Sequence, residues 1–479
     1  MHNFFQFGNL FTEINIFAIH CKYFTYNKIY AMIIQKEVER MIPTKDLKKR
    51  DLYLNKLIAF QDTEPVKVIT GIRRCGKSSL MKLMAAHLLE SGVSSDQIIE
   101  MNFESYDFKD MTSNGIYEYI KSRLISERRM YLFFDEIQRV EAWEETVNAL
   151  RVDVNCDIYI TGSNAFLLSS EYSTYLSGRS VEIKMLPLSF AEFIDFHGFE
   201  IRESTSALGG THRRAYDLQG ESYELKELFE AYLRFGGMPG IADVGLDQEK
   251  ALMLLDGIYS TVIVRDILER EKRRGRRQIT DAVLLRKIIL FLADNIGSSI
   301  SVSSIGNTLV NEGLLDDGRK NKPSAHTVQA YVNALLEAYF FYEIKRFDIK
   351  GKDYLRTLGK YYIVDIGLRN YLLGFRNRDS GHILENVVYF ELLRRGYDVA
   401  IGKLGDSEID FIASNANEKI YFQVTESMNS EAVRTRELAP LQKIKDNYEK
   451  IILSLDTGLE KEFDGIKSVN VLDWLLKRR

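Results

Sequence analysis

Short apolar runs alternate along the chain with longer stretches in which apolar residues return every three or four positions. The runs at 66–70, 98–103, 130–134, 157–161 and 181–185 are mostly apolar on successive residues, the pattern of strands covered on both faces. Residues 77–89, after the first run, have helical spacing. Strands alternating with helices predict a parallel α/β sheet with helices on both faces. Ahead of it, residues 32–61 read as short helical pieces with Leu52, Leu54, Leu57 and Ile58 on one side. From Ser204 to Glu221 the chain turns polar, which predicts a linker or flexible insertion. Helical periodicity then runs over 223–292, broken by GGMPG at Gly236 to Gly240. Residues 283–373 show three helices followed by strand, turn and strand, and helix and strand alternate again from Ser380.

Length and charge sharpen this picture. A chain of 479 residues is too long for one core, and about three domains are expected. Lys+Arg 64 against Asp+Glu 68 leaves a net charge of −4, so any nucleic-acid surface must be local. Cys21, Cys75 and Cys156 form neither a disulfide framework nor a metal-ligand spacing, and they fit a reduced cytoplasm. The apolar N-terminus is broken by Glu13, Asn15, His20 and Lys22, too soon to span a bilayer, and it lacks a secretion-signal pattern. The expected divisions are an extension of unassigned role at 1–31, an α/β core with a helical lead-in at 32–203, a linker and helical lid at 204–282, a module at 283–379 and a last unit at 380–479.

The strongest chemical signal is GIRRCGKS, Gly71 to Ser78, which satisfies G-x-x-x-x-G-K-[ST] between a strand and a helix. Gly71 and Gly76 let the backbone curl so that N–H groups of the loop, through Arg74, Cys75, Gly76, Lys77, Ser78 and Ser79, line an anion site at a helix N-terminus. Lys77 would reach the β- and γ-phosphates of ATP, and the Ser78 hydroxyl would ligate Mg²⁺. Arg73 and Arg74 could touch phosphate or a neighbouring subunit, or face solvent. Cys75 is either a thiol made reactive by the helix N-terminus or simply a small residue that fits.

MYLFFDEIQ, residues 130–138, ends an apolar strand in two acids. Beside a phosphate loop, Asp135 would hold Mg²⁺ through water and Glu136 would orient and deprotonate the attacking water. YITGSNA, 159–165, ends another strand in Thr161-Gly162-Ser163-Asn164. Ser163 and Asn164 either help hold that water or make an ordinary strand-end turn.

The order GIRRCGKSSL, LFFDEIQ, ITGSNAFLLS, LSGRSVEIKMLPLSF and YLRFGGMP resembles the AAA-superfamily ATPases of the archaeal and bacterial type, over most of residues 50–475. The resemblance implies a P-loop NTPase sheet under a helical lid, ATP and Mg²⁺ as cofactors, and assembly as a homo-oligomer. It makes Arg179 an arginine-finger candidate, with pairing to a nearby carboxylate such as Glu182 as the plainer alternative. It also places the lid at 222–281. There REKRRGRR, 270–277, is either a contact for nucleic-acid phosphates or a solvated helix end.

Within 283–379 the pattern matches a winged helix. Ser324 would cap a helix whose apolar stripe is Val328, Tyr331, Val332, Leu335 and Leu336, with His326, Gln329 and Asn333 facing outward. DIKGKD would be the basic tip of the wing. This module either meets DNA or another nucleic acid, or packs against the ATPase or another subunit without touching DNA; protein partners are a further expectation. The last unit resembles the restriction-endonuclease-like fold, in which a helix glutamate, a strand aspartate and a Glu/Gln-x-Lys on the next strand hold Mg²⁺ and a hydrolytic water. The resemblance puts Glu385, Asp410 and Gln423 at the metal positions. Thr425 stands where the lysine belongs, with Lys403 on a neighbouring strand as a conceivable substitute, so a degenerate domain without cleavage is expected.

Overall fold

Five parallel strands make the first sheet: β1 Val66–Thr70, β2 Ile98–Asn102, β3 Met130–Asp135, β4 Cys156–Gly162 and β5 Ser180–Lys184, in the order β2-β3-β4-β1-β5. The computed structural model describes residues 47–163, 165, 176, 178–205, 211–269, 279, 281–311, 323–351, 353–376, 380–458 and 462–477. The extension 1–31, Asn164 and the basic run 270–277 therefore lie outside the described residues.

β1 and β3 are buried along their whole length, because side chains of both parities meet a packed layer. Ile69, Phe133 and Tyr159 face the helix Lys77–Glu90 through Leu80, Met84 and Leu88. Their neighbours Val68, Leu132, Phe134, Ile158 and Ile160 face the opposite layer, where Ile116, Ile120, Val147 and Leu150 come from the helices Ser113–Lys121 and Trp143–Asp153. At about 1.5–3 kcal/mol for each fully buried large apolar side chain, these two layers drive the sheet together. The lead-in helix Asp51–Ala59 differs from expectation by one position: Leu52 is exposed and Tyr53 is buried with Leu54 and Leu57. The Tyr53 hydroxyl accepts the Leu186 N–H, a bond that leucine could not make.

The stretch expected as a linker folds instead into a small antiparallel sheet, β6 Glu200–Thr205, β7 Thr211–Tyr216 and β8 Ser222–Glu224. Its polarity reflects a solvated face on which charges pair across strands: Arg213 with Glu203 at 2.6 Å, and Arg214 Nε with Glu224 at 2.9 Å. Beyond it come the helices Leu225–Phe235, Gly240–Val244 and Gln248–Thr261, a π-helical stretch Val262–Glu269, and the helix Ala282–Asp294.

The remaining strands form one sheet of nine. β9 Ser299–Ile300, the helices Val302–Asn311 and Ala325–Glu337, and the hairpin β10 Phe341–Asp348 and β11 Asp353–Ile363 precede the helices Ile366–Leu373 and Ser380–Arg394. β12 Asp398–Leu404, β13 Ser407–Ser414, β14 Lys419–Val424, β15 Glu449–Ser454, β16 Glu462–Phe463 and β17 Ile466–Asn470 follow, with the helix Glu431–Gln442 after β14. The order is β16-β17-β15-β14-β13-β12-β10-β11-β9. Ser324 does cap its helix, accepting the Thr327 N–H at 3.0 Å, and Val328, Tyr331, Val332 and Leu335 are buried. Leu336, the fifth residue of the expected stripe, is half-buried. A wing projecting freely from the hairpin is not what forms. β10 pairs in parallel with β12, and the Ile349 N–H in the expected tip donates to the Lys403 carbonyl at 2.9 Å. The unpaired edge of β10 is a ready template, and β12 occupies it.

Three parts of the chain meet at one knot. The Leu188 N–H donates to the Gly237 carbonyl at 2.6 Å, and Arg394 donates to the Pro187 carbonyl at 2.9 Å. A Cβ on Gly237 would sit 2.4 Å from the Leu188 carbonyl oxygen, so this backbone approach admits only glycine. The MLPLSF and GGMP segments are thus where the first sheet, the middle helices and the last unit are fastened together.

Candidate nucleotide site

β1, β4 and β3 lie side by side and run the same way, so the turns at their C-terminal ends converge. The loop after β1 holds Gly71 at φ +141, where a Cβ would lie 2.1 Å from the Met185 carbonyl oxygen, and Arg74 at φ 62. Gly76, at φ +103, precedes the first residue of the helix Lys77–Glu90, so the N–H groups at that helix start face the concavity of the loop. Lys77 is buried, and its ammonium donates to the Gly71 and Ile72 carbonyls at 3.0 and 3.1 Å.

The acids sit opposite. Asp135 is the last residue of β3. Burial raises its carboxyl above the usual range, while hydrogen bonds from Thr161 and Ser78 pull the other way. The Thr161 hydroxyl donates to Asp135 at 2.5 Å and accepts the Glu136 N–H at 2.9 Å. Glu136 is a non-glycine residue in the left-handed region, at φ 56, a conformation that surrounding contacts must hold. Its carboxylate accepts from Gln138 and, at 3.3 Å, from the Ser163 hydroxyl. Lys77, Ser78, Asp135, Glu136 and Ser163 are therefore brought to one place. Thr161 joins them, a residue quoted in the sequence motif for its strand end and not for its hydroxyl.

Other candidates fall elsewhere. Cys75 is fully buried, with its Sγ turned toward Gly71 under the loop, the placement of a small packing residue. Ser79 lines a slot of about 150 Å³ beside the loop, with Leu47, Gly76, Leu80, Leu83, Met185 and Pro239 among its walls. Arg179 is exposed and sits immediately before β5, beside Val66. That is the opposite end of the sheet from Gly71, roughly 15 Å away at ~3.3 Å per residue. Glu182, the carboxylate expected as its plainer partner, accepts instead from Tyr339 at 3.2 Å and from Thr70.

Arg50 and Asp266 carried no sequence signal. Arg50 is buried, donates to the Cys75 carbonyl at 3.0 Å and the Leu186 carbonyl at 2.8 Å, and pairs with Glu192 at 2.7 Å, bracing the loop from below. Asp266 accepts from Arg73.

Beside the nine-stranded sheet, Glu385 of the helix Ser380–Arg394 lies near Asp410 of β13, whose N–H donates to Gln423 of β14 at 3.4 Å, and a lysine lies among them. It is Lys360 of β11, which approaches Glu385 at 3.6 Å and Glu408 at 3.0 Å, and not Lys403. Glu385 also accepts from Tyr362 at 2.9 Å and meets His382 at 3.3 Å. Burial pushes its carboxyl up, but His382, Lys360 and Tyr362 outweigh that and leave it below its usual value. Burial and the Glu385 charge raise Asp410 well above the ordinary range. Gln423 donates to Glu437 at 3.0 Å. Among the described residues no three Asp, Glu, His or Cys side chains are grouped to hold a metal ion, and none of the helices is long and apolar enough to cross a membrane.

Residues 63–194 match the AAA domain family, and residues 226–379 match a domain of unknown function, DUF8612. The sheet order, the glycine loop and the acids beside it thus belong to an AAA domain, a nucleotide-binding class. The chain is 39% identical to an uncharacterized protein of Haemophilus influenzae, covering 91% of this chain and 100% of that one. It is 31% identical to an uncharacterized protein of Methanocaldococcus jannaschii, covering 83% of each. The protein belongs to the family that these two relatives share with it. Among solved structures, the Aeropyrum pernix ORC1 protein in complex with DNA overlaps 68% of this chain and 92% of that one at 12% identity and a TM-score of 0.28, a likeness too distant to carry a functional argument.

Proposed function

We propose that the protein is a slow Mg²⁺-dependent ATPase whose nucleotide cycle moves the 226–379 domain and the unit fused to it. The observation that carries this is the convergence of Lys77, Ser78, Asp135 and Glu136, with Thr161 bridging the two acids. N–H groups of the loop from Gly71 through Arg74, Cys75 and Gly76 to Ser79 cradle the phosphates, and Lys77 neutralises the outer ones. Ser78 and Asp135 are hydrogen-bonded oxygen donors that suit a hard divalent cation. When bound, Mg²⁺ would supply charge neutralisation at the phosphates. Glu136 takes the proton of the attacking water, and Ser163, bonded to its carboxylate, keeps it aimed; Asn164 follows directly in the chain. The slot beside Ser79 accepts the base. Arg179, remote within its own chain, acts on the site of a neighbouring copy, which makes the working form a homo-oligomer.

The outward face of the helix Ala325–Glu337, with exposed His326 and Asn333 and half-buried Gln329, is the surface offered to nucleic acid or a protein partner. A nuclease reading gains one point from Lys360, a buried cation where the motif lacks one. Against it, that ammonium and the acids already satisfy each other, and the divalent-ion positions Glu385, Asp410 and Gln423 read best as vestigial. The deciding experiment is ATP turnover by the purified protein with and without DNA or RNA. Turnover lost in Lys77→Ala supports an ATPase, and stimulation by one polymer names the partner class. Tight ATP binding with no turnover would instead make the protein a nucleotide-switched binding module.

A further inference from the structure

Arg73 sits within the phosphate loop, and its guanidinium is held by acids from two other segments. Nε donates to both oxygens of Asp266 at 3.0 Å, and Nη1 donates to Glu104 at 3.2 Å. The same Glu104 oxygen accepts from Arg139 at 2.7 Å. Four side chains therefore form one line: Asp266 from the π-helical stretch Val262–Glu269, Arg73 from the loop, Glu104 just after β2, and Arg139 in the turn that follows Glu136. Both members of the first pair are largely buried, with side chains 13% and 8% exposed, so water screens their interaction little.

Asp266 is also close to the chemistry. Burial raises its carboxyl, Arg73 and Lys77 lower it, and Glu136 raises it, so it feels both side chains that bracket the outer phosphate. Its own backbone is π-helical, a rare form that inserts an extra residue into a helical turn and recurs at functional positions. This stretch lies inside the domain of unknown function, 226–379, and no other described ion pair joins that domain to the phosphate loop.

A triphosphate on the loop is polyanionic even with Mg²⁺ bound. It competes with Asp266 for Arg73, and it repels the carboxylate that Arg73 would leave behind in a poorly solvated place. We propose that Asp266 is the counter-ligand through which the nucleotide site controls the 226–379 domain: Asp266 and the γ-phosphate exclude each other at Arg73. By linkage, removing the Asp266 carboxylate tightens triphosphate binding, and triphosphate loosens the 262–269 stretch by the same free energy. This rests on the nucleotide reading above.

The test uses the full chain in a Glu136→Gln background, so that ATP persists. ATP and ADP affinities are measured for the parent, Asp266→Asn, Arg73→Gln and the pair of changes together, with Lys77→Ala as the control and thermal melts to establish folding. Asp266→Asn should tighten ATP ~5–150-fold, the usual span of coupling between two sites, and ADP less, because ADP lacks the γ-phosphate. With Arg73→Gln already present, Asp266→Asn should tighten ATP by less than it does in the parent, leaving only the relief of charge repulsion. Amide exchange over 262–269 should rise when ATP binds the parent, and should already be raised in either single variant. Unchanged or weakened ATP binding in a folded Asp266→Asn protein, or additive effects in the double variant, overturns the proposal while leaving the nucleotide site intact. Binding that is equally absent from the parent and from Lys77→Ala overturns both.

Discussion

Asp365 accepts the Gly237 N–H at 2.6 Å, joining the residue before the helix Ile366–Leu373 to a glycine 128 positions earlier. It also accepts the Leu368 N–H at 3.1 Å, so one carboxylate both caps a helix and clamps the knot at Leu188. Burial pushes this carboxyl up to about 6, against the pull of these N–H groups and of Arg394. A carboxyl raised in the folded state binds its proton more tightly there than in the unfolded chain. The stability this adds is complete below pH ~4 and is lost as pH rises through about 6. Asp365→Asn has no such proton. Thermal melts from pH 4 to 7 should therefore show the variant gaining on the parent by an amount on the order of 1–3 kcal/mol. A constant difference between the two across that range would mean Asp365 titrates as an ordinary carboxylate.

Lys77→Ala should abolish nucleotide binding, because the buried ammonium is the one loop cation held at the Gly71 and Ile72 carbonyls. Glu136→Gln should bind normally and lose turnover by at least ~100-fold, the usual worth of a general base. Equilibrium binding and steady-state hydrolysis, measured on the same preparations, separate the two roles. Wild-type turnover in Glu136→Gln would reassign the base.

Arg179 lies at the far end of β5 from its own phosphate loop, so the finger proposed for it would act between copies. Specific activity should rise with protein concentration in the parent and stay flat in Arg179→Ala. Mixing Arg179→Ala with Lys77→Ala should restore part of the activity, since each copy supplies what the other lacks. Activity independent of concentration in a monomeric parent would exclude a finger in trans.

The unit beyond residue 380 should not cut DNA or RNA with Mg²⁺ or Mn²⁺, with or without ATP. Lys360→Met should instead cost stability, about 3 kcal/mol, because it strands the Glu385 and Glu408 carboxylates that the lysine holds at 3.6 and 3.0 Å. Gel assays on both nucleic acids and a denaturant melt of the variant check the two halves. Metal-dependent cleavage that disappears in both Asp410→Ala and Lys360→Ala would make Lys360 catalytic.

The five strands of the first sheet were legible because a strand covered on both faces announces itself as an apolar run. Lys77, Ser78, Asp135 and Glu136 were legible because each follows its strand at a fixed local distance. Arg50, Asp266 and Lys360 were not, since each reaches its partners from a distant segment and nothing in the neighbouring residues marks the destination. The sheet at 200–224 was hidden by its composition: charges that pair across strands look, one at a time, like loop residues. The fusion of β10 to β12 was hidden for a different reason. Residues 341–348 read equally well as half of a free hairpin or as an interior strand, and only the register with β12 decides.

Nine strands in one sheet also make a lever. With neighbours ~4.8 Å apart, eight spacings put β9 and β16 roughly 38 Å from each other along the hydrogen-bonding direction. β9 follows the π-helical stretch in the chain, while β16 forms the other edge of the sheet. A tilt of ~10° about the β9 edge would carry β16 through roughly 7 Å, by that same spacing. Were the exchange proposed at Arg73 to rotate the sheet by that angle, its far edge would move about as far as one turn of helix.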